Sequence, residues 1–187
     1  MERPYIIDQT IEKVSSLVKG DYENCTFKNC DFSNTDLSGI KFIETEFNEC
    51  DLSNARIVDS KFQSVTFRNC KLMGLRFDTC GDFGFEAKFE QCLLNHASFY
   101  QLKVNETSFI DSHLEGVDFT EADLNGCKLE NCDLLHTHFE RTNIEKADLR
   151  KSINYTIDPE NNHIKGAQFS MPEVIHLLDK YQLKIDL

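Results

Sequence analysis

Residues 25–54 read CTFKN CDFSN TDLSG IKFIE TEFNE CDLSN when cut every five residues. The third place of each unit is large and apolar: Phe27, Phe32, Leu37, Phe42, Phe47 and Leu52. The frame continues through Ile57, Phe62, Phe67, Leu72 and Phe77, and Tyr22 fits one step earlier. Two extra residues enter near Gly81 to Phe85; the frame then resumes at Phe89 and runs to Leu149. Two places before each large residue stands a small or modest one. All eight Cys (Cys25, Cys30, Cys50, Cys70, Cys80, Cys92, Cys127 and Cys132) fall on that place. Eight residues would share one of five phases roughly once in 10⁵ trials, so the repeat placed them and cysteine chemistry did not.

A period of five is neither a helix, which spaces apolar residues by three and four, nor a flat strand, which spaces them by two. It suits a chain that bends after each unit, with two side chains inward and three outward. Four units, about 20 residues, then close one square coil, and the next coil stacks at about 4.8 Å, the separation of neighbouring strands. Residues 20 apart fall into columns: Phe27, Phe47 and Phe67; Phe99, Phe119 and Phe139; Leu94, Leu114 and Leu134. No unit buries its apolar pair alone, so stability comes from stacking on neighbours.

Units such as CDFSN (30–34), CDLSN (50–54), VDFTE (117–121), ADLNG (122–126) and ADLRK (147–151) resemble the A(D/N)LXX motif of pentapeptide-repeat proteins. The resemblance covers residues 21–151. It implies an all-β solenoid, a right-handed quadrilateral β-helix, with a register break near 81–86. Residues 1–20 are expected to form an extended N-terminal cap, with Tyr5 to Ile7 and Thr10 to Val14 as its strands. Residues 152–187 are expected to form a C-terminal cap. Ile157-Asp158-Pro159 is expected to stop the coil, with a last partial turn from Ile164 to Phe169. Ser170 to Glu173 then reads as a capping box before an α-helix over about 171–181. Val174, Leu177, Leu178 and Tyr181 follow at helical spacing, and Leu183 and Ile185 alternate in the tail. That apolar set either plugs the last coil or also makes a two-fold dimer contact.

The C-terminal pattern resembles the dimerising end of the Qnr and MfpA group, which acts on bacterial type II topoisomerases. Qnr proteins of Gram-negative bacteria carry projecting loops that matter for protection against quinolones. Here the only insertion is the two-residue step, as at the loop-poor MfpA end of the group.

The chain has 187 residues, enough for one domain, with 20 Lys plus Arg against 32 Asp plus Glu and a formal charge of -12. That balance argues against attachment to nucleic acid or anionic lipid by bulk charge. No apolar run reaches the roughly 20 residues of a membrane helix, and MERPYIIDQTIEKV lacks the apolar stretch of a signal peptide. A cytoplasmic protein is expected. Acids exceed bases most strongly between residues 83 and 150. The candidate partner-binding carboxylates are Glu115, Asp118, Glu121, Asp123, Glu130, Asp133, Glu140 and Asp148. The resemblance implies that such a rod mimics DNA and binds DNA gyrase or topoisomerase IV. The alternative is an interaction scaffold for an unrelated protein.

Enzyme chemistry is not expected. There is no C-x-x-C and no phosphate-binding glycine motif. His136 and His138 fall on outward positions, and His96 lies about two coils from His136. The acids follow the repeat and offer no isolated pair for acid–base work. No cofactor, metal, small-molecule substrate or direct nucleic-acid contact is expected.

Overall fold

A computed structural model describes residues 3–81, 84–105 and 107–186. Asp82 and Phe83, inside the expected register break, lie outside the described residues. The chain is a parallel β-solenoid with four faces, each built from every fourth unit. Face 1 is centred on Tyr22, Phe42 and Phe62, and later on Val104, Leu124 and Ile144. Face 2 is centred on Phe27, Phe47, Phe67, Phe89, Phe109, Leu129 and Leu149. Face 3 is centred on Phe32, Leu52, Leu72, Leu94, Leu114 and Leu134, and face 4 on Leu37, Ile57, Phe77, Phe99, Phe119 and Phe139. All these central side chains are buried.

Face 1 contains a four-stranded parallel sheet of Tyr5–Ile7, Asp21–Glu23, Lys41–Ile43 and Lys61–Gln63. Face 2 carries a seven-stranded parallel sheet that starts at Thr10–Glu12 and ends at Lys128–Glu130. Faces 3 and 4 are held by single parallel bridges, such as Asp31↔Asp51 and Asp118↔His138. Partners are normally 20 residues apart, as in Thr26↔Glu46. Across the break Val65 pairs with Ala87 and Phe67 with Phe89, so two residues are absorbed without loss of register. Phe85 turns inward beside this step and packs edge-on against Phe62 and Phe77.

The columns are continuous ring stacks. On face 2, Phe27, Phe47, Phe67, Phe89 and Phe109 lie 4.6, 5.0, 5.3 and 4.9 Å apart, centroid to centroid. On face 4, Phe77, Phe99, Phe119 and Phe139 lie 4.7, 5.2 and 5.6 Å apart. The coil spacing sets these separations, and rings of adjacent faces meet edge-on, the arrangement the aromatic quadrupole favours.

The corners explain two further sequence preferences. The last residue of most units has positive φ: Asn24, Asn29, Asn34, Gly39, Glu44 and Glu49 run from 49° to 73°. Asn and Gly reach that left-handed region at least cost. The small inward residue carries a donor at many corners. Cys50 Sγ donates to the Phe27 carbonyl, Ser60 Oγ to Leu37, Thr137 Oγ1 to Leu114 and Thr142 Oγ1 to Phe119, always 23 residues back. Many central carbonyls, among them those of Leu37, Leu114 and Phe119, accept the backbone N–H three residues on, from Ile40, Val117 and Ala122. At these three the hydroxyl of the next coil fills the second lone pair. All eight Cys are buried. Several of them therefore act as corner donors as well as small apolar packing.

At the N-terminal end, Ile6, Ile11, Val14 and Leu17 lie partly buried against the core. The C-terminal end departs from expectation. Ile157-Asp158-Pro159 does not stop the ladder, which continues through Asn143↔His163 and Asp148↔Gln168. The terminal helix is a 3-10 helix, Glu173–Tyr181, and not an α-helix over 171–181. The capping box does not form. Pro172 occupies the N-cap, Ser170 Oγ donates to the Arg150 carbonyl, and the Glu173 carboxylate accepts from the Asn154 backbone N–H. Both capping side chains are thus taken by the coil beneath them.

Candidate protein-interaction surface

The eight candidate carboxylates do not form one patch. Glu115 and Asp133 stand on face 3, Asp118, Glu121 and Glu140 on face 4, Asp123 on face 1, and Glu130 and Asp148 on face 2. Sorting the outward residues by steps of twenty would have shown this in the sequence; their crowding along the chain concealed it.

The Asp residues of the repeat have a structural duty. Asp118 Oδ1 accepts the Thr120 N–H at 2.9 Å, Asp123 the Asn125 N–H at 3.1 Å, Asp133 the Leu135 N–H at 3.2 Å and Asp148 the Arg150 N–H at 3.1 Å. The same bond is made by Asn143 to Glu145, so an amide serves equally. Asp at this place closes a local turn, as short polar side chains do, and leaves its charge available outward.

Ion pairing divides the set. Arg141 bridges Glu121 and Glu140, each at 2.7 Å; Arg150 pairs with Asp148 at 2.7 Å; Lys151 pairs with Glu130 at 2.6 Å. Glu121 titrates below the usual carboxylate range, chiefly because the Gln101 amide, and then Arg141, bond its charged form. Asp148 is lowered chiefly by Arg150. Faces 1 and 2 interleave their acids with Lys88, Lys103, Lys128, Lys146, Arg150 and Lys151. In the same coils face 3 holds Glu115 and Asp133 and face 4 holds Asp118, Glu121 and Glu140. Arg141, at the corner of faces 4 and 1, pairs with Glu121 and Glu140, and Arg76 lies two rungs before Asp118 in its bridge ladder and interacts with its charge. Asp158 and Glu160 extend face 4, and Lys180 from the terminal helix bonds both, at 2.7 and 2.5 Å. Sequence reasoning missed these two because they follow the last recognisable unit.

The dimer candidates split by the three-residue period of the 3-10 helix. Val174, Leu177 and Lys180 align on one side; Leu177 packs against the core and Lys180 holds Asp158 and Glu160. Ile175, Leu178 and Tyr181 align on another, where Leu178 and Tyr181 are exposed. Leu183 and Ile185 are exposed in the tail.

Among the described residues, no group of His, Cys, Asp and Glu is arranged to hold a metal ion. No helix is long and apolar enough to cross a membrane.

The family profile described as pentapeptide repeat region matches residues 21–81 and 85–153. Among solved structures, full-length QnrB1, a plasmid-mediated fluoroquinolone resistance protein, has a TM-score of 0.65 at 19% identity, covering 96% of this chain and 100% of that one. A trypsin-treated form of QnrB1 has a TM-score of 0.67 at 19% identity and full coverage of both chains. A second has 0.64 at 21% identity, with 97% of each chain covered. At that identity the likeness is one of fold. No curated protein matches the chain.

Proposed function

This chain belongs to the pentapeptide repeat family, and from that premise we propose that it binds a bacterial type II topoisomerase, DNA gyrase or topoisomerase IV, in the place of DNA and thereby shields the enzyme from quinolones. The observation that carries the reading is the acidic surface of faces 3 and 4, where Glu115, Asp118, Glu121, Asp133 and Glu140 outnumber Arg76 and Arg141. Carboxylates fixed at coil spacing on a stiff rod offer a basic DNA channel what phosphates offer it, and release bound counterions in the same way. Similarity of fold to a fluoroquinolone resistance protein supports the choice of partner. No catalytic step is assigned.

In this reading the rod is a homodimer. Ile175, Leu178, Tyr181, Leu183 and Ile185 meet their counterparts across a two-fold axis. Six coils at about 4.8 Å give roughly 30 Å per protomer, and dimerisation doubles it. The setting is the bacterial cytoplasm.

Titration of the purified protein into a gyrase supercoiling assay, with and without ciprofloxacin, tests the reading. Expected are altered supercoiling and a shifted drug response at micromolar protein. An unchanged enzyme in the presence of confirmed dimer rejects it, and a pull-down then identifies the partner of a scaffold.

A further inference from the structure

We propose that the outward side of face 3, from Met73 to Ile153, is a docking strip for a protein segment that presents two apolar side chains bracketing a lysine or arginine. The proposal rests on the preceding reading only for the identity of the partner.

Two outward lanes run along this face, one on each side of the buried Leu column. The first is the bridge ladder Leu93↔His113↔Asp133↔Ile153. The second is Met73, Asn95, Glu115 and Leu135, joined by successive backbone bonds from Gly74, His96 and Gly116 to the carbonyls of Asn95, Glu115 and Leu135. Both lanes read aliphatic, nitrogen-bearing, carboxylate, aliphatic, the second one coil behind the first. The Asn95 amide donates to Glu115 at 3.2 Å, which fixes that carboxylate in its lane. In each lane the two aliphatic residues stand three coils apart, about 14 Å at strand spacing.

The aliphatic ends are open to solvent: Met73 is 37% exposed, Leu135 39% and Ile153 46%, and Leu93 is half-buried. Elsewhere the outward apolar residues include Tyr5, Ile7 and Ile43 on face 1, Ile110 on face 2, and Val58 with Tyr100 on face 4. Face 3 alone places two pairs of them in adjacent lanes at the same three-coil spacing. Charge complementarity identifies the occupant. Lys71, beside Met73 and the rung before Leu93, is paired with Asp51. From Leu93 to Asn154 the outward positions of face 3 hold Glu115 and Asp133 and no Lys or Arg, whereas each other face carries a Lys or Arg in the same coils. A segment with a cation between two apolar groups pairs its charge with Glu115 or Asp133 and buries its flanks on the aliphatic ends. Nucleic acid gains nothing from those flanks and is repelled by the acids.

The test has two arms. In the first, an extended synthetic peptide with leucines four residues apart and an arginine midway, a span of about 13 Å, is titrated into ¹⁵N-labelled full-length protein. Expected are amide shifts confined to face 3 around Leu93, His113, Glu115 and Leu135, absent with a control peptide whose leucines are serines. Shifts elsewhere, or equal shifts with the control, overturn the proposal. In the second arm, L135S and I153T are combined, folding is checked by thermal melting, and gyrase affinity is measured against salt. Expected is an affinity loss of about tenfold with an unchanged salt dependence, because the lost contacts are uncharged. Binding within twofold of wild type at unchanged melting overturns the proposal while leaving DNA mimicry standing. Gyrase that ignores the wild type rejects the topoisomerase reading, and the peptide arm then decides the strip alone. A changed oligomeric state in the double variant assigns the face to a second copy of this chain and also overturns the proposal.

Discussion

Faces 2 and 3 share one interior rule and differ outside. Face 2 stacks five phenylalanines in a seven-stranded sheet and alternates Lys88, Glu90, Lys128, Glu130, Asp148 and Arg150 outward. Face 3 stacks mostly leucines, is joined by single bridges, and shows aliphatic residues, histidine and carboxylates without a base in the same coils. The repeat fixes what points inward and the corner that follows, and leaves the outward side chains free. One rod can therefore carry a self-neutralised face and a recognition face at no cost to the core.

The sharpest way to break this comparison is to attack the shared interior. Phe47→Asp on face 2 and Phe119→Asp on face 4 are both expected to abolish folding, since an ion would sit in a ring stack with no partner. Circular dichroism and a thermal melt decide it; a soluble variant with a cooperative transition would contradict the column architecture.

The next effect separates the faces. Asp118→Asn, Asp133→Asn, Glu115→Gln and Glu140→Gln remove charge from faces 3 and 4, while the two asparagines retain the turn bonds, as Asn143 does. Affinity for gyrase is expected to fall at least about tenfold, or 1.4 kcal/mol, with a shallower salt dependence. Asp123→Asn, Glu130→Gln and Asp148→Asn on faces 1 and 2 are expected to leave affinity near wild type. Equal losses from both sets would end the distinction.

A smaller effect is expected at the corners. Thr142→Val deletes the hydroxyl that fills the second lone pair of the Phe119 carbonyl, with little change of shape. The cost should be about 1 kcal/mol, read as a shift in the denaturant midpoint. An unchanged midpoint would reduce the corner donors to packing.

The mildest expectation concerns alkaline pH. Burial pushes the Cys132 thiol up to about 12 and the Tyr155 phenol, also buried, to about 12. The unfolded chain releases these protons near pH 8.5 and 10, so between those values and 12 the native state holds more protons. Stability is therefore expected to be full below about pH 8.5 and to decline as pH rises toward 12. Cys132→Ser should flatten the first part of that decline in urea midpoints measured across the range.

Some of this was legible in the residues. The period of five, the Phe columns and the two-residue step near Gly81 follow from side-chain type and spacing alone, because each inward position repeats a strict steric demand. The C-terminal helix was misread because Ser170 and Glu173 fit a capping box locally, while Arg150 and Asn154 in the coil below compete for the same groups. The candidate acids were half legible: their abundance lies in the chain, but their faces and partners depend on residues twenty away.

The sequence by itself determined a repeating five-residue unit with an aromatic interior, since neither a helix nor a flat strand buries side chains at that spacing. Only the tertiary structure decided which carboxylates are held in ion pairs and how far the aliphatic residues beside them stand open to solvent. Partner choice and exposure are set by side-chain conformations between stacked coils, which the step of twenty does not specify.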